Sequence, residues 1–310
     1  NMDHGKYTCG IFIDLKKAFD TVNHDILLKK LHHYGIRGII LDWFKSYLSN
    51  RKQTVSINGS ISNYELISCG VPQGSVLGPL LFLIYINDIF NSSKVFSFHL
   101  FADDTSMLCE HKSLNELQDI VNIELSKLSK WLNTNRLSLN VKKTNFVIFR
   151  PRQKKLPFIP SIYLSDNSNR LQQINNKDSI QYLGVLIDSR LSWKQHIDQV
   201  AQKISRSIGI IAKLRHYVPR ETMFNIYKTL VNPYINYGIC SWGNTGKTHL
   251  KRLLVLQKRA LRLINFSNSR EHAIPFFLQT RSLPLNFLYF ENMCIMMHDI
   301  FNNRAPKNLN

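Results

Sequence analysis

Residues 98–109, FHLFADDTSMLC, decide the fold, because they place two adjacent carboxylates between two apolar segments of β-strand character. Paired acids at such a position cost stability through mutual repulsion and lost hydration, and a bound cation is the usual compensation. Taken alone, Asp103-Asp104 is more typical of a solvated turn, although ordinary hairpin turns more often use Asn-Gly or Asp-Gly. The stretch therefore predicts a β-hairpin, with a cation site if a further acid joins the pair.

A third carboxylate, Asp14, ends another segment of buried-strand character, residues 9–14 (CGIFID). If the two segments are neighbours in one sheet, their acids converge on one spot. Oxygen ligands of this kind, with no His or Cys nearby in sequence, favour magnesium over zinc. Two such ions about 4 Å apart can activate an attacking hydroxyl and stabilise a leaving phosphate oxygen, which is the chemistry of nucleotidyl transfer.

The composition favours a polyanionic partner and argues against several other classes of protein. The 310 residues carry a net charge of +19, and residues 190–262 hold fourteen Lys and Arg against only two acids. Such an excess favours nucleic acid ahead of a membrane surface. The strongest apolar run, residues 79–86, is far too short to span a bilayer. Five scattered cysteines without zinc-ligand or redox spacing argue against a disulfide framework and favour a reducing compartment.

Hydrophobic periodicity and capping signals predict mixed helices and strands up to about residue 190. Helices are expected at residues 23–34, 79–90 and 113–134. Strands are expected at residues 54–57, 64–68, 146–149 and 181–187. Residues 70–75 (GVPQGS) are expected to form a loop, because Gly and Pro interrupt them.

After Trp193 the sequence becomes mainly helical, with two apolar stripes at helical spacing. The first stripe comprises Ile197, Val200, Ile204, Ile208, Ile211 and Leu214, and the second comprises Leu250, Leu253, Leu254, Leu261 and Ile264. Basic side chains on the other sides of these helices suit a domain laid along a phosphate backbone. The residues expected to contact that backbone are Lys203, Arg206, Lys251, Arg252, Lys258, Arg259 and Arg262.

Five segments, in order along the chain, resemble the motifs of non-LTR (LINE-type) retrotransposon reverse transcriptases. The first is residues 12–24 (FIDLKKAFDTVNH), and the second is residues 70–88 (GVPQGSVLGPLLFLIYIND). The others are residues 101–105 (FADDT), 139–144 (LNVKKT) and 182–185 (YLGV). The pattern is most similar to that of jockey-like elements of animals, and it covers most of the first 190 residues.

The resemblance implies an α+β fold in two domains. A reverse-transcriptase palm, which is an antiparallel sheet backed by helices, would occupy residues 1–190, with the fingers largely missing on the N-terminal side. A mainly helical, basic thumb and C-terminal region would follow in residues 191–310. The chain length and a hydrophobic content of 44% are sufficient for two such domains.

The resemblance also implies a metal site with a catalytic cation beside it. Asp14 and Asp103 would ligate two Mg²⁺ ions, for which Mn²⁺ could substitute, and Asp104 would complete the acidic site. The backbone carbonyl of Leu15 would be an extra ligand. Lys143 would protonate the leaving pyrophosphate or neutralise its charge, although a lysine before a strand is more often a solvated surface group.

Nucleotide and primer contacts follow from the same resemblance. Phe19 would lie under the incoming sugar and exclude a 2′-hydroxyl. Without the motif, the preferred interpretation of Phe19 would be a core aromatic. Gln73 and Gly74 would contact the incoming nucleotide and the template, where a glycine backbone lets a strand approach closely. Tyr182 and Gly184 would help to seat the primer end.

The predicted function is RNA-templated DNA synthesis, in which a primer 3′-hydroxyl attacks the α-phosphate of a dNTP and releases pyrophosphate. The resemblance implies an RNA template, a DNA primer or target DNA, and dNTPs as partners, with no membrane. Priming on a nicked chromosomal strand, as in the family, implies activity in the nucleus after synthesis in the cytoplasm. The sequence leaves the oligomeric state open.

Three alternatives stay open at this point. The chain could be a catalytically inactive, nucleic-acid-binding remnant of a truncated element that uses its basic helices without a complete enzyme. It could be a related palm polymerase that makes RNA, although Phe19 argues against room for a 2′-hydroxyl. A metal-dependent nuclease with the same carboxylates would leave the Gln73-Gly74 loop unexplained.

Overall fold

The structure, a computed structural model, describes residues 5–165 and 170–306. The chain divides into two compact units, Asn1–Ser179 and Ile180–Asn310. This division lies before the boundary expected near residue 190, because the strand that precedes residue 190 packs against the first helix of the second unit. Within the described part of the chain, no helix is both long and apolar enough to cross a membrane.

The first unit combines short strands with helices. Its strands are β1 (Tyr7–Ile13), β2 (Lys52–Gln53), β3 (Ser56–Ile57), β4 (Ser60–Ile61), β5 (Glu65–Leu66), β6 (Ser97–Phe101), β7 (Asp104–His111), β8 (Asn145–Phe149), β9 (Tyr163–Ser165), β10 (Leu171–Gln173) and β11 (Asn175–Asn176). Its helices are α1 (His24–His33), α2 (Ile39–Leu48), α3 (Leu77–Ile86) and α4 (Leu114–Thr134).

A five-stranded sheet in the order β11-β8-β1-β7-β6 forms the centre of the first unit. Its neighbours are antiparallel except for the parallel pair β11 and β8. β1 is the middle strand and is buried along most of its length, which explains why its sequence is apolar on both faces. The apolar side of α4 packs against β1 and β7 and continues the core.

Local capping explains where the expected helices begin. The Asn23 side chain accepts a hydrogen bond from the Ile26 backbone N–H at 3.0 Å and starts α1. Ser113 accepts one from the Glu116 N–H and starts α4, which ends at Thr134 as expected. α3 is shorter than the expected 79–90 helix, because its last turn tightens into the 3₁₀ helix Asn87–Ser92.

Several expected strands are wrong in detail. Residues 54–57 and 64–68 do not form two continuous strands, and the chain makes the exposed two-residue pairs β2–β5 and β3–β4 there. The turn at Asn58-Gly59 is present, with positive φ at both residues. The expected strand 181–187 is instead a hairpin of β12 (Ser179–Tyr182) and β13 (Val185–Asp188), because the chain reverses at Leu183-Gly184.

The second unit is mainly helical after this hairpin. Its helices are α5 (Lys194–Leu214), α6 (Arg220–Leu230), α7 (Asn232–Asn236), α8 (Ile239–Trp242), α9 (Lys247–Ile264), α10 (Ile274–Thr280) and α11 (Leu285–Phe301). Helices α5 and α9 pack against each other through the two predicted apolar stripes. Trp242 and Tyr227 are fully buried in this second core. The buried Gln257 side chain bonds the Tyr227 hydroxyl and the Leu285 N–H, so its polar atoms are paired.

Candidate active site

Asp14 and Asp104 lie at the same end of the two central strands. The last pair in the register of β1 with β7 is Ile13 with Thr105, so Asp14 follows β1 at the end where Asp104 begins β7. These acids are far apart in sequence but close enough in space for the charge of Asp14 to act on Asp104.

Asp103 lies next to this pair, in the two-residue turn that joins β6 to β7. Phe101 pairs with Asp104 across the hairpin, which leaves Ala102 and Asp103 as the turn. Ala102 has φ +52°, a left-handed backbone conformation that costs an L-residue on the order of 1 kcal/mol. Such strain persists only where the surrounding structure enforces it, and it is common at functional sites.

The charges of Asp14 and Asp103 act on Asp104. Partial burial is the largest cause that raises the pKa of Asp104, and the charges of Asp103 and Asp14 raise it further. Like charges held together in this way favour either a proton or a bound cation. An all-carboxylate donor set fits a hard divalent cation such as Mg²⁺.

The acids are neighbours without forming a closed cage. Among residues 5–165 and 170–306, no three His, Cys, Asp or Glu side chains are grouped in a way that could hold a metal ion. The acidic end of β1 and β7, defined here as Asp14, Asp103 and Asp104, is thus a set of neighbouring carboxylates that does not form a metal site as it stands.

The turn that carries Lys143 is attached directly to Asp14. The Asn140 N–H donates to the Asp14 carbonyl at 2.8 Å, and the Asp14 N–H donates to the Thr144 hydroxyl at 3.4 Å. A bridge between Leu15 and Leu139 continues this attachment. Lys143 itself is exposed in the turn, which gives its ammonium group access to a ligand. Leu15 is buried, and the bridge uses the carbonyls of Asp14 and Ser138.

Phe19 packs against the core with part of its side chain and is exposed to solvent with the rest. It lies in the 3₁₀ helix Ala18–Thr21, five residues after Asp14, and is half-buried. Its ring packs against that of the buried Phe82, with centroids 4.6 Å apart. One side of the Phe19 ring therefore packs in the core, while part of the side chain stays accessible to solvent.

The loop of residues 70–75 is fastened to the segment that follows Phe19. The Val71 N–H donates to the Phe19 carbonyl at 2.8 Å, and the Gly70 N–H donates to the Val22 carbonyl at 2.7 Å. Gly70 has φ +90°, and a Cβ there would lie 2.8 Å from the Asp20 carbonyl oxygen. Only glycine fits this crossing of two backbones.

Gln73 and Gly74 are exposed on this loop, where a ligand can reach them. The Gln73 side-chain amide donates to the Asp20 carboxylate at 2.8 Å. Gly74 has φ +79°, which explains the requirement for glycine at that position. The structure thus brings together the loop and the end of the first sequence motif.

Two residues with no role in the sequence-based interpretation hold this arrangement. Asp20 orients Gln73, and the His24 Nε2 atom makes a hydrogen bond of 2.7 Å with the Gly70 carbonyl. Both lie inside the motif of residues 12–24. Their presence in that motif was the available signal, but a single sequence does not show which of its polar residues face a loop more than forty positions away.

The residues expected to contact the primer and the nucleic-acid backbone belong to the second unit. Tyr182 ends β12, and Gly184 is exposed in the turn before β13. The basic residues are exposed or half-exposed on α5 and α9. Some of them already have protein partners: Lys203 lies over the Tyr234 ring, Arg252 pairs with Asp198, and Arg262 donates to the Glu271 carbonyl.

A sheet that collects acids at one end of its central strands, beside a glycine-rich loop, defines a polymerase palm. In agreement, a family model described as "Reverse transcriptase (RNA-dependent DNA polymerase)" matches residues 1–187. The chain belongs to the reverse transcriptase family, and its fold is the mixed helix and antiparallel sheet of that family. Members of this family generally use divalent metal ions and act on a nucleic-acid template and primer.

The chain is also similar to curated RNA-directed DNA polymerases from mobile elements. It is 29% identical over 293 residues to the RNA-directed DNA polymerase from mobile element jockey of Drosophila melanogaster, covering 91% of this chain and 30% of that protein. It is 28% identical over 276 residues to the probable RNA-directed DNA polymerase from transposon X-element of the same species, covering 84% of this chain and 29% of that protein. The chain thus spans less than a third of the length of these relatives.

A solved structure is also similar over most of the chain. The telomerase from Candida albicans, in complex with a TWJ fragment of telomeric RNA, is 13% identical, with a TM-score of 0.44. The alignment covers 89% of this chain and 51% of that chain.

Proposed function

We propose that this chain catalyses RNA-templated DNA synthesis for a non-LTR retrotransposon. It would extend the 3′-hydroxyl of a DNA primer with dNTPs while reading an RNA template. The observation that carries this proposal is that Asp14 and Asp104 lie at the same end of the paired strands β1 and β7, with Asp103 in the adjoining turn. Membership of the reverse transcriptase family supplies the reaction type.

Asp14, Asp103 and Asp104, together with the Leu15 carbonyl, would hold two Mg²⁺ ions, or Mn²⁺ in their place. When bound, such ions favour ionisation of the attacking hydroxyl and neutralise charge on the phosphates. Burial raises the pKa of Asp104 most, and the charges of Asp103 and Asp14 raise it further; a divalent cation beside the carboxylates would relieve this repulsion, which supports the assignment.

Other residues of the chain would assist the reaction and select the nucleotide. The primer 3′-oxygen forms a bond to the α-phosphorus, and the bond from that phosphorus to the bridging oxygen breaks as pyrophosphate leaves. Lys143, on the turn attached to Asp14, would give the leaving oxygen a proton or neutralise its charge. Phe19 would contact the sugar and exclude a 2′-hydroxyl, while Gln73 and Gly74 would contact the incoming nucleotide and the template.

The second unit would hold the nucleic acid. Tyr182 and Gly184 would seat the primer end, and the basic residues of α5 and α9 would contact the phosphate backbone. A net charge of +19 supports such contacts. Because the proposed primer is a nicked chromosomal strand, we place the activity in the nucleus, after synthesis in the cytoplasm.

Primer extension by the purified chain tests the proposal. A labelled DNA primer on an RNA template is incubated with dNTPs and MgCl₂, and wild type is compared with Asp103→Asn. The matched control is Asp119→Asn, which makes the same chemical change at an exposed acid on α4. We expect wild type and the control to extend the primer and Asp103→Asn to lose at least 100-fold in rate, on the order of the loss when one group of a catalytic unit is removed. Full extension by Asp103→Asn would refute the metal role.

A second function, nucleic-acid binding without catalysis, is favoured by one observation. The described acids form no group that could hold a metal ion as they stand, so a chain that keeps this open arrangement would bind without reacting. The same assay separates the two functions when duplex binding is measured in parallel. Tight binding of the primed template without extension by wild type would favour the binding function.

A further inference from the structure

The turn that joins β12 to β13 has a strained backbone. It consists of Leu183, with φ +45°, and Gly184, with φ +79°. Positive φ at both central residues is the geometry of a type I′ hairpin turn. Glycine adopts it freely, whereas a leucine in the left-handed region is uncommon and costs energy. The Leu183-Gly184 turn therefore needs outside contacts to keep its shape.

Tyr237, which follows α7, supplies such contacts from fifty residues further along the chain. Its hydroxyl donates a hydrogen bond of 2.6 Å to the Leu183 carbonyl. Its ring lies against the next residue, so that a Cβ added to Gly184 would be 3.2 Å from the Tyr237 Cε1 atom. One side chain thus bonds the strained residue and packs against its glycine neighbour.

The backbone of Tyr237 is itself held by the buried core of the second unit. The Trp242 indole N–H donates to the Tyr237 carbonyl at 2.9 Å, and Trp242 is fully buried. The next residue, Gly238, lies so close to β13 that a Cβ there would be 3.1 Å from the Val185 Cγ2 atom. A path of direct contacts therefore runs from the helical core through Tyr237 to the turn.

The exposure of Tyr237 distinguishes it from an ordinary core aromatic. Its side chain is 57% exposed, whereas the neighbouring Trp242 is fully buried. An exposed tyrosine contributes little to core packing, and water can replace a lost hydroxyl at an exposed carbonyl at small cost. Its contacts with the turn consequently affect the position of that turn more than the stability of the unit.

We propose that Tyr237 is a positioning residue for the primer, because it sets the shape of the Leu183-Gly184 turn that would seat the primer end. This inference rests on the proposed function, in which Tyr182 and Gly184 contact the primer. Tyr237 acts through the turn. Loss of its hydroxyl frees the Leu183 carbonyl and lets the turn relax away from the left-handed conformation.

Binding of a primed template by the purified chain tests this inference without requiring activity. The probe is a DNA primer annealed to an RNA template, with 2-aminopurine at the primer 3′ end. Fluorescence anisotropy of the duplex gives the dissociation constant, and the 2-aminopurine emission reports how the primer end is held. We expect Tyr237→Phe to weaken binding about three-fold to ten-fold, the range expected for one hydrogen bond, and to change the 2-aminopurine emission.

The matched control is Tyr234→Phe, which removes another exposed tyrosine hydroxyl three residues earlier. That hydroxyl makes no hydrogen bond within the described residues. We expect the control to bind like wild type, and both variants to melt within about 2 °C of wild type. A binding loss in Tyr237→Phe without a loss of thermal stability supports positioning, since a purely structural role would lower the melting temperature first.

Two outcomes would overturn the inference and can be told apart. If Gly184→Ala weakens binding but Tyr237→Phe does not, the turn contacts the primer and Tyr237 does not set it. If Gly184→Ala and Tyr182→Ala both bind like wild type, the turn does not contact the primer and the primer assignment in the proposed function fails as well. Loss of extension in Asp103→Asn remains a separate test of the catalytic site.

Discussion

The Gln73 side-chain amide donates a hydrogen bond of 2.8 Å to the Asp20 carboxylate. A carboxylate only accepts hydrogen bonds, so this contact fixes which end of the Gln73 amide points toward Asp20. The carbonyl oxygen of the Gln73 side chain makes no contact with Asp20 in this orientation. Asp20 thus couples the first sequence motif to the loop of residues 70–75.

Asp20→Asn should impair use of the incoming nucleotide more than the chemical step. An asparagine can donate as well as accept, so Gln73 would no longer be held in one orientation. Because the pair is exposed, we expect a modest effect, a rise in the KM for dNTP of about three-fold with kcat nearly unchanged. Steady-state primer extension measures both constants, with Asp119→Asn as control. An unchanged KM would show that Asp20 does not orient Gln73.

Phe19→Val should relax the discrimination against ribonucleotides. The smaller side chain opens space where the 2′-hydroxyl of the incoming sugar would lie. The variant also loses the ring contact with Phe82, so we expect a stability cost of about 1–2 kcal/mol. A gel comparison of dNTP and NTP incorporation measures the first effect and urea denaturation the second. If Phe19→Val destabilises the protein but leaves the preference for dNTP over NTP unchanged, Phe19 acts only in the core.

Lys30 should contribute strongly to the stability of the first unit. Its ammonium donates to the Asp88 carboxylate at 2.6 Å and to the Tyr85 carbonyl at 2.5 Å, and it lies 5.0 Å from the Trp131 ring centroid. Burial lowers the pKa of Lys30, although Asp88 opposes this shift. Lys30→Met would leave both acceptors without their donor, at a cost of about 2 kcal/mol.

The neighbouring exposed Lys29 provides the control for this measurement. Lys29→Met should change the free energy of unfolding by less than about 0.5 kcal/mol. Urea denaturation of both variants supplies the comparison. If both substitutions changed the free energy of unfolding equally, the contacts of the Lys30 ammonium group would not stabilise the unit.

The second unit should lose stability on mild acidification because of His196. Its Nδ1 atom accepts a hydrogen bond from the Leu186 N–H, and its buried Nε2 atom has no hydrogen-bond partner. Burial, and secondarily the charge of Lys203, lower the pKa of His196 below its usual 6.5. The unfolded chain therefore binds a proton that the folded unit excludes, so stability is complete above pH 6.5 and falls as the pH drops below it.

Thermal melts at pH 7.5 and pH 5.5 test this dependence. His196→Gln should reduce the difference between the two melting temperatures. The exposed His272 serves as control, and His272→Gln should retain the full difference. A pH dependence that survives in His196→Gln would assign the effect to other groups.

Sequence patterns predicted the parts of this fold that depend on local chemistry. The Ser113 cap and the leucine spacing defined α4, and the acidic pair defined the β6–β7 hairpin. β3 and β5 lie inside the two predicted strands 54–57 and 64–68. Their two-residue lengths and their partners β4 and β2 were not predicted, because these exposed side chains carry no burial pattern. The 181–187 strand was wrong because its turn places a leucine, which normally avoids positive φ, at the first reversal position.

In the candidate site, too, local patterns could be read from the sequence and contacts between distant loops could not. Asp14, Asp103 and Asp104 could be named as candidates from the sequence, because acids beside apolar strand segments cost stability unless their charge is compensated. The contacts of Asp20 with Gln73 and of Tyr237 with Leu183 join residues more than fifty positions apart. Such pairs depend on how the loops fold over one another, and no local pattern in one sequence records that.

The placement of Asp14 by strand register makes this site unusually sensitive to changes in chain length. Side chains alternate between the two faces of a strand, so deleting one residue within Tyr7–Ile13 would turn the Asp14 carboxylate to the far face of the sheet. A copy of this sequence with such a deletion would retain every acidic residue and still be unable to assemble them. Deletion of a single residue in the first strand should therefore abolish primer extension as completely as replacement of the acids.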